Sequence, residues 1–301
     1  MTAPSTVPTT APATVPTTAE RPTGAVDVAV VTIAGGRREH LRRQAASIAA
    51  QGTLPDRYVI VDMGGPDPLH VVPSGLRNRT DVVVVPVTAE PGRLPLARAR
   101  NVGVATADAD VTILLDVDCI AHPRLVGTYA DLVRRHTGLH SGPVGYLPEH
   151  APDSIDHRLL QQIARHQPGR PNPRTHLHRT DRIELFWSLS FATDRRSWER
   201  VGGFDEGYVG YGGEDTDVGR RADHADVPIW FSGTACAFHQ YHPVSSPPVE
   251  HVEAICRNAE RFHATWGDWP MEAWLAAFVE RGLVEWSPDG DSCRPVDVPS
   301  V

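Results

Sequence analysis

An α/β fold, with a mixed but mostly parallel central sheet flanked by helices, is what this sequence predicts, on three observations. The runs VDVAVVTIA (26–34), YVIVD (58–62), DVVVVPV (81–87) and VTILLDVD (111–118) are continuous and β-branched, as strands covered on both faces are. Segments with apolar residues at helical spacing lie between strands of this kind. Three runs end in Ala34, Asp62 and Asp116-Val117-Asp118, at the carboxyl ends where such sheets bind ligands.

Taken in order, residues 1–24 are Pro, Thr and Ala repeats that bury no core and read as a disordered tail. The first strand passes through a glycine pair into RREHLRRQAASIAAQG, a helix with a terminating glycine. The second and third strands follow, then the helix LARARNVGVATA (96–107) and the fourth strand. Residues 148–183 are rich in Pro, His and Arg and predict a long flexible loop with a short helix near HRLLQQIARH (157–166). ELFWSLSFAT (184–193) predicts a strand, and DRRSWERVGG a short helix capped by Asp194 and stopped by Gly202. PIWFSG and ACAFH (228–239) continue as strand, and the end of the chain forms two amphipathic helices. The expected domains are a main unit over 25–245, with a first half at 25–120 and a second at 184–245, and a helical extension over 246–301.

Composition narrows the function. A net charge of -8 argues against a sequence-independent nucleic-acid binder, which needs a basic face. Every one of the 29 basic residues is arginine, which excludes a P-loop lysine, a pyridoxal Schiff base and a lysine nucleophile. The four cysteines, Cys119, Cys236, Cys256 and Cys293, have no CxxC spacing and read as reduced thiols. With neither an apolar run of membrane-spanning length nor a secretion signal, the expectation is a cytoplasmic protein.

Five groups of residues offer chemistry. Asp116 and Asp118, two apart on a strand, would share a face, and a carboxylate pair suits Mg²⁺ or Mn²⁺. Asp62 is either a turn former before GGP or an acceptor for a nucleobase or ribose. In LARARN, Arg98 and Asn101 share a helix face near Arg100; forked guanidinium donors suit a diphosphate, and a solvated face explains them equally well. GYVGYGGEDTD (207–217) sets glycines before Glu214, Asp215 and Asp217. Acids in a first helical turn serve the dipole, whereas close approach of main chain to a ligand would explain the glycines and leave a carboxylate as general base. His239 and His242, near the tip of a late strand, could complete a metal site.

Together these segments resemble nucleotide-sugar glycosyltransferases of family 2. VVTIAGGRREHLRRQAASI, IVDMGGP, ARNVG and LLDVDC are similar to the nucleotide-binding half. FATDRRSWERVGGFDEGYVGYGGEDTDVGRRA is similar to the segment shared by β-1,4-galactosyltransferases and polypeptide N-acetylgalactosaminyltransferases. The resemblance implies a GT-A fold and transfer of a hexose or N-acetylhexosamine from a UDP-sugar to a carbohydrate or glycoconjugate hydroxyl, with inversion. It implies that Thr32, Ile33, Ala34, Arg38, Asp62, Arg98, Asn101, Asp116, Val117 and Gly213 line the nucleotide sugar. Asp118 with His239 or His242 would hold Mn²⁺ or Mg²⁺, Asp215 would be the base, and Glu214 would anchor the acceptor. The family's motif begins with Trp where this chain has Tyr211, and MGG stands where DGS is frequent. A nucleotidyltransferase would want a basic glycine-rich loop after the first strand, which AGGRREH imitates only in part. A non-catalytic sugar binder would lack Asp118 or Asp215, and both are present.

Overall fold

The computed structural model describes residues 26–90, 92–167 and 177–296. The tail expected over 1–24 and part of the 148–183 loop lie outside them. The first half runs β1 (Val28–Ala34), α1 (Arg38–Ala49), β2 (Arg57–Asp62), α2 (Ser74–Arg77), β3 (Asp81–Pro86), α3 (Leu96–Ala107) and β4 (Val111–Leu115). It continues with β5 (Cys119–Ala121), α4 (Leu125–Arg135), β6 (Leu139–Ser141) and β7 (Val144–Tyr146). Then come α5 (His157–Ile163), β8 (Arg165–His166), β9 (Leu177–Thr180), β10 (Ser190–Asp194), α6 (Arg195–Val201) and α7 (Glu214–His224). The chain closes with β11 (Ile229–Ser232), β12 (Ala237–His239), α8 (Val252–Trp266), α9 (Glu272–Glu280), β13 (Val284–Glu285) and β14 (Arg294–Pro295).

Eight strands form the central sheet in the order β3-β2-β1-β4-β10-β6-β11-β9. β1, β2, β3 and β4 are parallel, and β10 enters antiparallel between β4 and β6. The continuous apolar runs are explained by burial on both faces. Val30, Ile60 and Ile113 pack on α1 and α4, while their neighbours Val31, Val59 and Leu114 pack on α3 and α7. Contact with α3 is so close that a Cβ on Gly103 would fall 2.3 Å from Val31. β3, at the edge, is only half-buried.

The 148–183 segment is more regular than expected, since β8 and β9 edge the two sheets. The strand expected over 184–193 begins only at Ser190, because Ile183–Leu185 is a 3₁₀ turn. Asp194 caps α6 by accepting from the Ser197 amide at 2.8 Å, and Gly202 ends it at φ 78°. PIWFSG and ACAFH belong to different sheets: β12 joins a smaller one ordered β5-β12-β7-β8. That pairing sets His239 opposite Cys119, the residue after Asp118.

The C-terminal residues form their own apolar cluster around Ile255, Leu275 and Phe278, closed by the β13–β14 ribbon. Here the reduced-thiol expectation is corrected. Cys256 of α8 and Cys293 beside β14 form a disulfide across a Cα–Cα distance of 5.2 Å, within ordinary bridge range. Cys119 and Cys236 take no part in that disulfide. Among the described residues, no helix is long and apolar enough to cross a membrane.

Candidate active site

β4 stops at Leu115 and Asp116-Val117-Asp118 is a turn, so the two carboxylates do not share a strand face. The two carboxylates take different partners. Asp118 receives Arg37, the residue before α1, and His40 at 2.5 Å from Nδ1. Burial would raise its carboxyl, but these hydrogen bonds outweigh burial and bring it down to about 2. His242 Nε2 lies 3.7 Å from Asp118, and one ligand atom each from Asp118, His239 and His242 falls within 4.8 Å of the others. Burial, against the attraction of Asp118, lowers His239 to about 4 and leaves a neutral imidazole with a lone pair to offer.

Gln240, itself buried, braces this corner. Its backbone amide donates to the Asp118 carbonyl at 2.7 Å and its side chain to the His40 carbonyl at 3.0 Å. Asp118 is thereby fixed between the small sheet and the start of α1.

Asp116 faces the other way, 3.3 Å from Arg100, whose second nitrogen lies 3.2 Å from Glu214. Arg100 is buried, and burial alone would lower its pKa; Asp116, Asp215 and Glu214 together more than offset that, so it remains a fixed cation. Three carboxylates around one guanidinium leave an excess of negative charge. Asp116 is accordingly raised to about 6, first by burial, with Asp215 and Asp118 adding to it against Arg100. Glu214 is raised to about 7, first by burial and then by Asp215. Asp215 accepts from the Ser188 amide at 3.1 Å through one oxygen, and its other oxygen is enclosed with no hydrogen-bond partner among the described residues. Ser188 arrives there because the Asp116 amide extends the β4–β10 ladder to the Leu189 carbonyl at 2.9 Å.

The glycines before these acids have a reason other than ligand approach. Gly212 and Gly213 sit at φ 94° and 92°, and a Cβ there would meet Met271 at 2.9 Å and Tyr208 at 3.1 Å. They let the C-terminal helices close on the loop. Asp217 is fully buried and takes Arg221 at 2.7 Å and the Trp266 indole at 2.9 Å, so it is a structural acid.

The remaining candidates are dispersed. Thr32, Ile33 and Ala34 are buried along β1, with the Thr32 hydroxyl lacking a hydrogen-bond partner among the described residues, and Val117 is buried in its turn. Asp62 accepts from the Gly64 amide at 3.0 Å, which satisfies the turn reading. Arg38 and Arg98 are exposed. Asn101 clasps the 203–206 turn, exchanging hydrogen bonds with both the amide and the carbonyl of Phe204 at 2.9 Å. Arg37, His40 and Gln240 escaped sequence reasoning. AGGRREH was visible as a strand-to-helix passage, but which of its cations turns inward depends on where α1 begins.

The sequence pattern of the family described as glycosyl transferase family 2 matches residues 29–196. The chain belongs to that family. A second pattern, the N-terminal domain of galactosyltransferase, matches residues 173–243. This family 2 chain is 25% identical over 247 residues to validoxylamine A glucosyltransferase of Streptomyces hygroscopicus subsp. limoneus, covering 74% of the chain and 53% of the relative. It is also 25% identical over 260 residues to the protein of the same name from S. hygroscopicus subsp. jinggangensis strain 5008, covering 78% and 60%. The chain thus spans little more than half the length of these relatives. Among solved structures, GalNAc-T7 with UDP, GalNAc and Mn²⁺ matches at a TM-score of 0.57 and 16% identity, over 81% of this chain and 51% of that one. S. aureus TarS 1-349 in complex with UDP matches at 0.54 and 14%, over 77% and 64%. These likenesses agree with the GT-A architecture of the central sheet.

Proposed function

We propose that this family 2 chain transfers a hexose or N-acetylhexosamine from a UDP-sugar to a carbohydrate hydroxyl, with inversion at the anomeric carbon. The observation that carries the reading is the continuity of the two clusters. Asp116, two residues before Asp118, pairs with Arg100 at 3.3 Å, and Arg100 pairs with Glu214, the neighbour of Asp215, at 3.2 Å, so we read the carboxylate–histidine group and the acid pair as one site. Residues 25–245 are read as the transferase domain and 246–301 as an added unit. UDP in the TarS structure, UDP and Mn²⁺ in that of GalNAc-T7, and the glucosyltransferase name of the relatives support the donor class.

Asp118, His239 and His242 fit a divalent ion. One carboxylate with two imidazoles suits Mn²⁺ better than Mg²⁺, which prefers oxygen ligands. A bound ion would neutralise the charge of the leaving diphosphate. Arg37 and His40 add donors at the same corner. At the other corner Asp215 has a carboxylate oxygen with no hydrogen-bond partner among the described residues, and it is assigned the proton of the acceptor hydroxyl. Glu214, held by Arg100, receives a second acceptor hydroxyl. Thr32–Ala34 and Asp62 are assigned the nucleoside, and Arg98 contact with the diphosphate; Asn101 serves by holding the 203–206 turn in place.

A panel of UDP-glucose, UDP-galactose and their N-acetyl forms, with and without Mn²⁺, tests this by UDP release. Hydrolysis or transfer of one donor is expected, with loss in Asp118→Ala. If the wild type turns over no UDP-sugar and Asp118→Ala changes nothing, the reading fails. The anomeric configuration of the product, read by NMR, decides inversion.

A further inference from the structure

Residues 248–296 lie beyond both family matches, yet α8 reaches back to the loop that carries the acids. Asn258 donates to the carbonyls of Gly212 at 2.8 Å and Tyr211 at 3.3 Å, and Arg257 to that of Val209 at 2.7 Å. Held from behind in this way, Tyr211 meets two rings of the same C-terminal unit. His251 stacks on it at 4.8 Å between centroids and Trp274 at 5.9 Å, both at 23°. The cluster is open to water: Tyr211 is 38% exposed, His251 is exposed and Trp274 is half-buried.

The cluster also adjoins the chemistry. Tyr211 is three residues before Glu214, and its phenol is pushed up to about 12, by burial first and then by the charges of Glu214, Asp215 and Asp116. The ring is thus carried by the loop that leads directly into α7, whose first two residues are Glu214 and Asp215, and Asn258 holds that loop by the carbonyls of Tyr211 and Gly212.

We propose that Tyr211, His251 and Trp274 form the acceptor platform, on which a pyranose ring rests with its reactive hydroxyl toward Glu214 and Asp215. A pyranose has the two surfaces this place offers partners for. Its C–H faces are apolar and weakly positive and suit the negative faces of aromatic rings, while its hydroxyl edge needs acceptors such as carboxylates. The inference rests on the glycosyl-transfer reading and adds that acceptor recognition comes from a unit the family matches do not include.

The experiment uses the full chain, the UDP-sugar it hydrolyses fastest, and p-nitrophenyl β-glucoside, β-galactoside and α-mannoside as acceptor probes. His251→Ala and Trp274→Ala are expected to raise the acceptor KM roughly three- to tenfold. UDP release without acceptor stays unchanged, and Trp274→Phe recovers most of the loss. Should Trp274→Ala fail to fold, exposed His251→Ala and the conservative Trp274→Phe still decide, the first by a raised KM and the second by a smaller rise. An acceptor KM unmoved in His251→Ala and in the Trp274 variants overturns the platform. Wild-type donor hydrolysis with no transfer to any pyranoside overturns it as well while leaving the donor reading intact. Absence of donor hydrolysis in the wild type overturns the glycosyl-transfer reading and this inference with it.

Discussion

Arg100 is the residue on which the acid cluster depends. It is buried, makes ion pairs with Asp116 and Glu214, and lies over the Phe204 ring at 5.2 Å. Removing it leaves buried carboxylates uncompensated, so Arg100→Leu is expected to lose about 3–5 kcal/mol of stability in chemical unfolding. Glu214 gives a pH signature of known sign. Its folded pKa, about 7, lies above the ordinary value of 4.5, so the folded state binds more protons between those pH values. Stability from this group is present at low pH and is lost as pH rises through about 7, and Glu214→Gln should flatten that slope in melting curves taken from pH 4.5 to 8. At this scale the sequence displayed residue types but not directions. Arg98, Arg100 and Asn101 all stood in LARARN, and only the packing of α3 on β1 and β2 turns Arg100 toward the acids, leaves Arg98 in solvent and sets Asn101 against the 203–206 turn.

Among the elements, α8 does the most to hold the acid loop. Its Asn258, Arg257 and Trp266 bind the carbonyls and the buried carboxylate of residues 209–217, and Arg261 pairs with Asp205 at 2.8 Å through two hydrogen bonds. The Cys256–Cys293 disulfide ties the same helix to the C-terminal ribbon across 37 residues. Replacing both cysteines by serine should cost about 2–4 kcal/mol in non-reducing unfolding, and the wild type should show the same loss under reductant. Periodicity identified α8 and α9 as amphipathic helices, and their apolar faces do pack. What they hold was illegible, because the contact is made by polar side chains to backbone across about 50 residues of sequence, and such contacts leave no periodic trace.

For the whole molecule, two sheets must meet for the metal-competent group to exist. Asp118 follows the large sheet, while His239 and His242 come from the end of the small one, aligned by the β5–β12 register. If that group binds Mn²⁺ in the folded state only, the ion should raise the melting temperature of the wild type and leave Asp118→Ala unshifted; at a hundredfold excess over the dissociation constant the gain is about 2.7 kcal/mol. By itself the sequence determined the order of strands and helices in the first half, the α6 cap and stop, and the segments that mark family 2. It could do so because burial on two faces and helix-end hydrogen bonding are local demands that residue types answer directly. Only the tertiary structure decided that the glycines of GYGGED serve a left-handed loop clasped by α8, that Arg37 and His40 face Asp118, and that Arg100 joins Asp116 to Glu214. Those facts follow from the direction of side chains on elements brought together from far apart in the chain, and direction is set by packing.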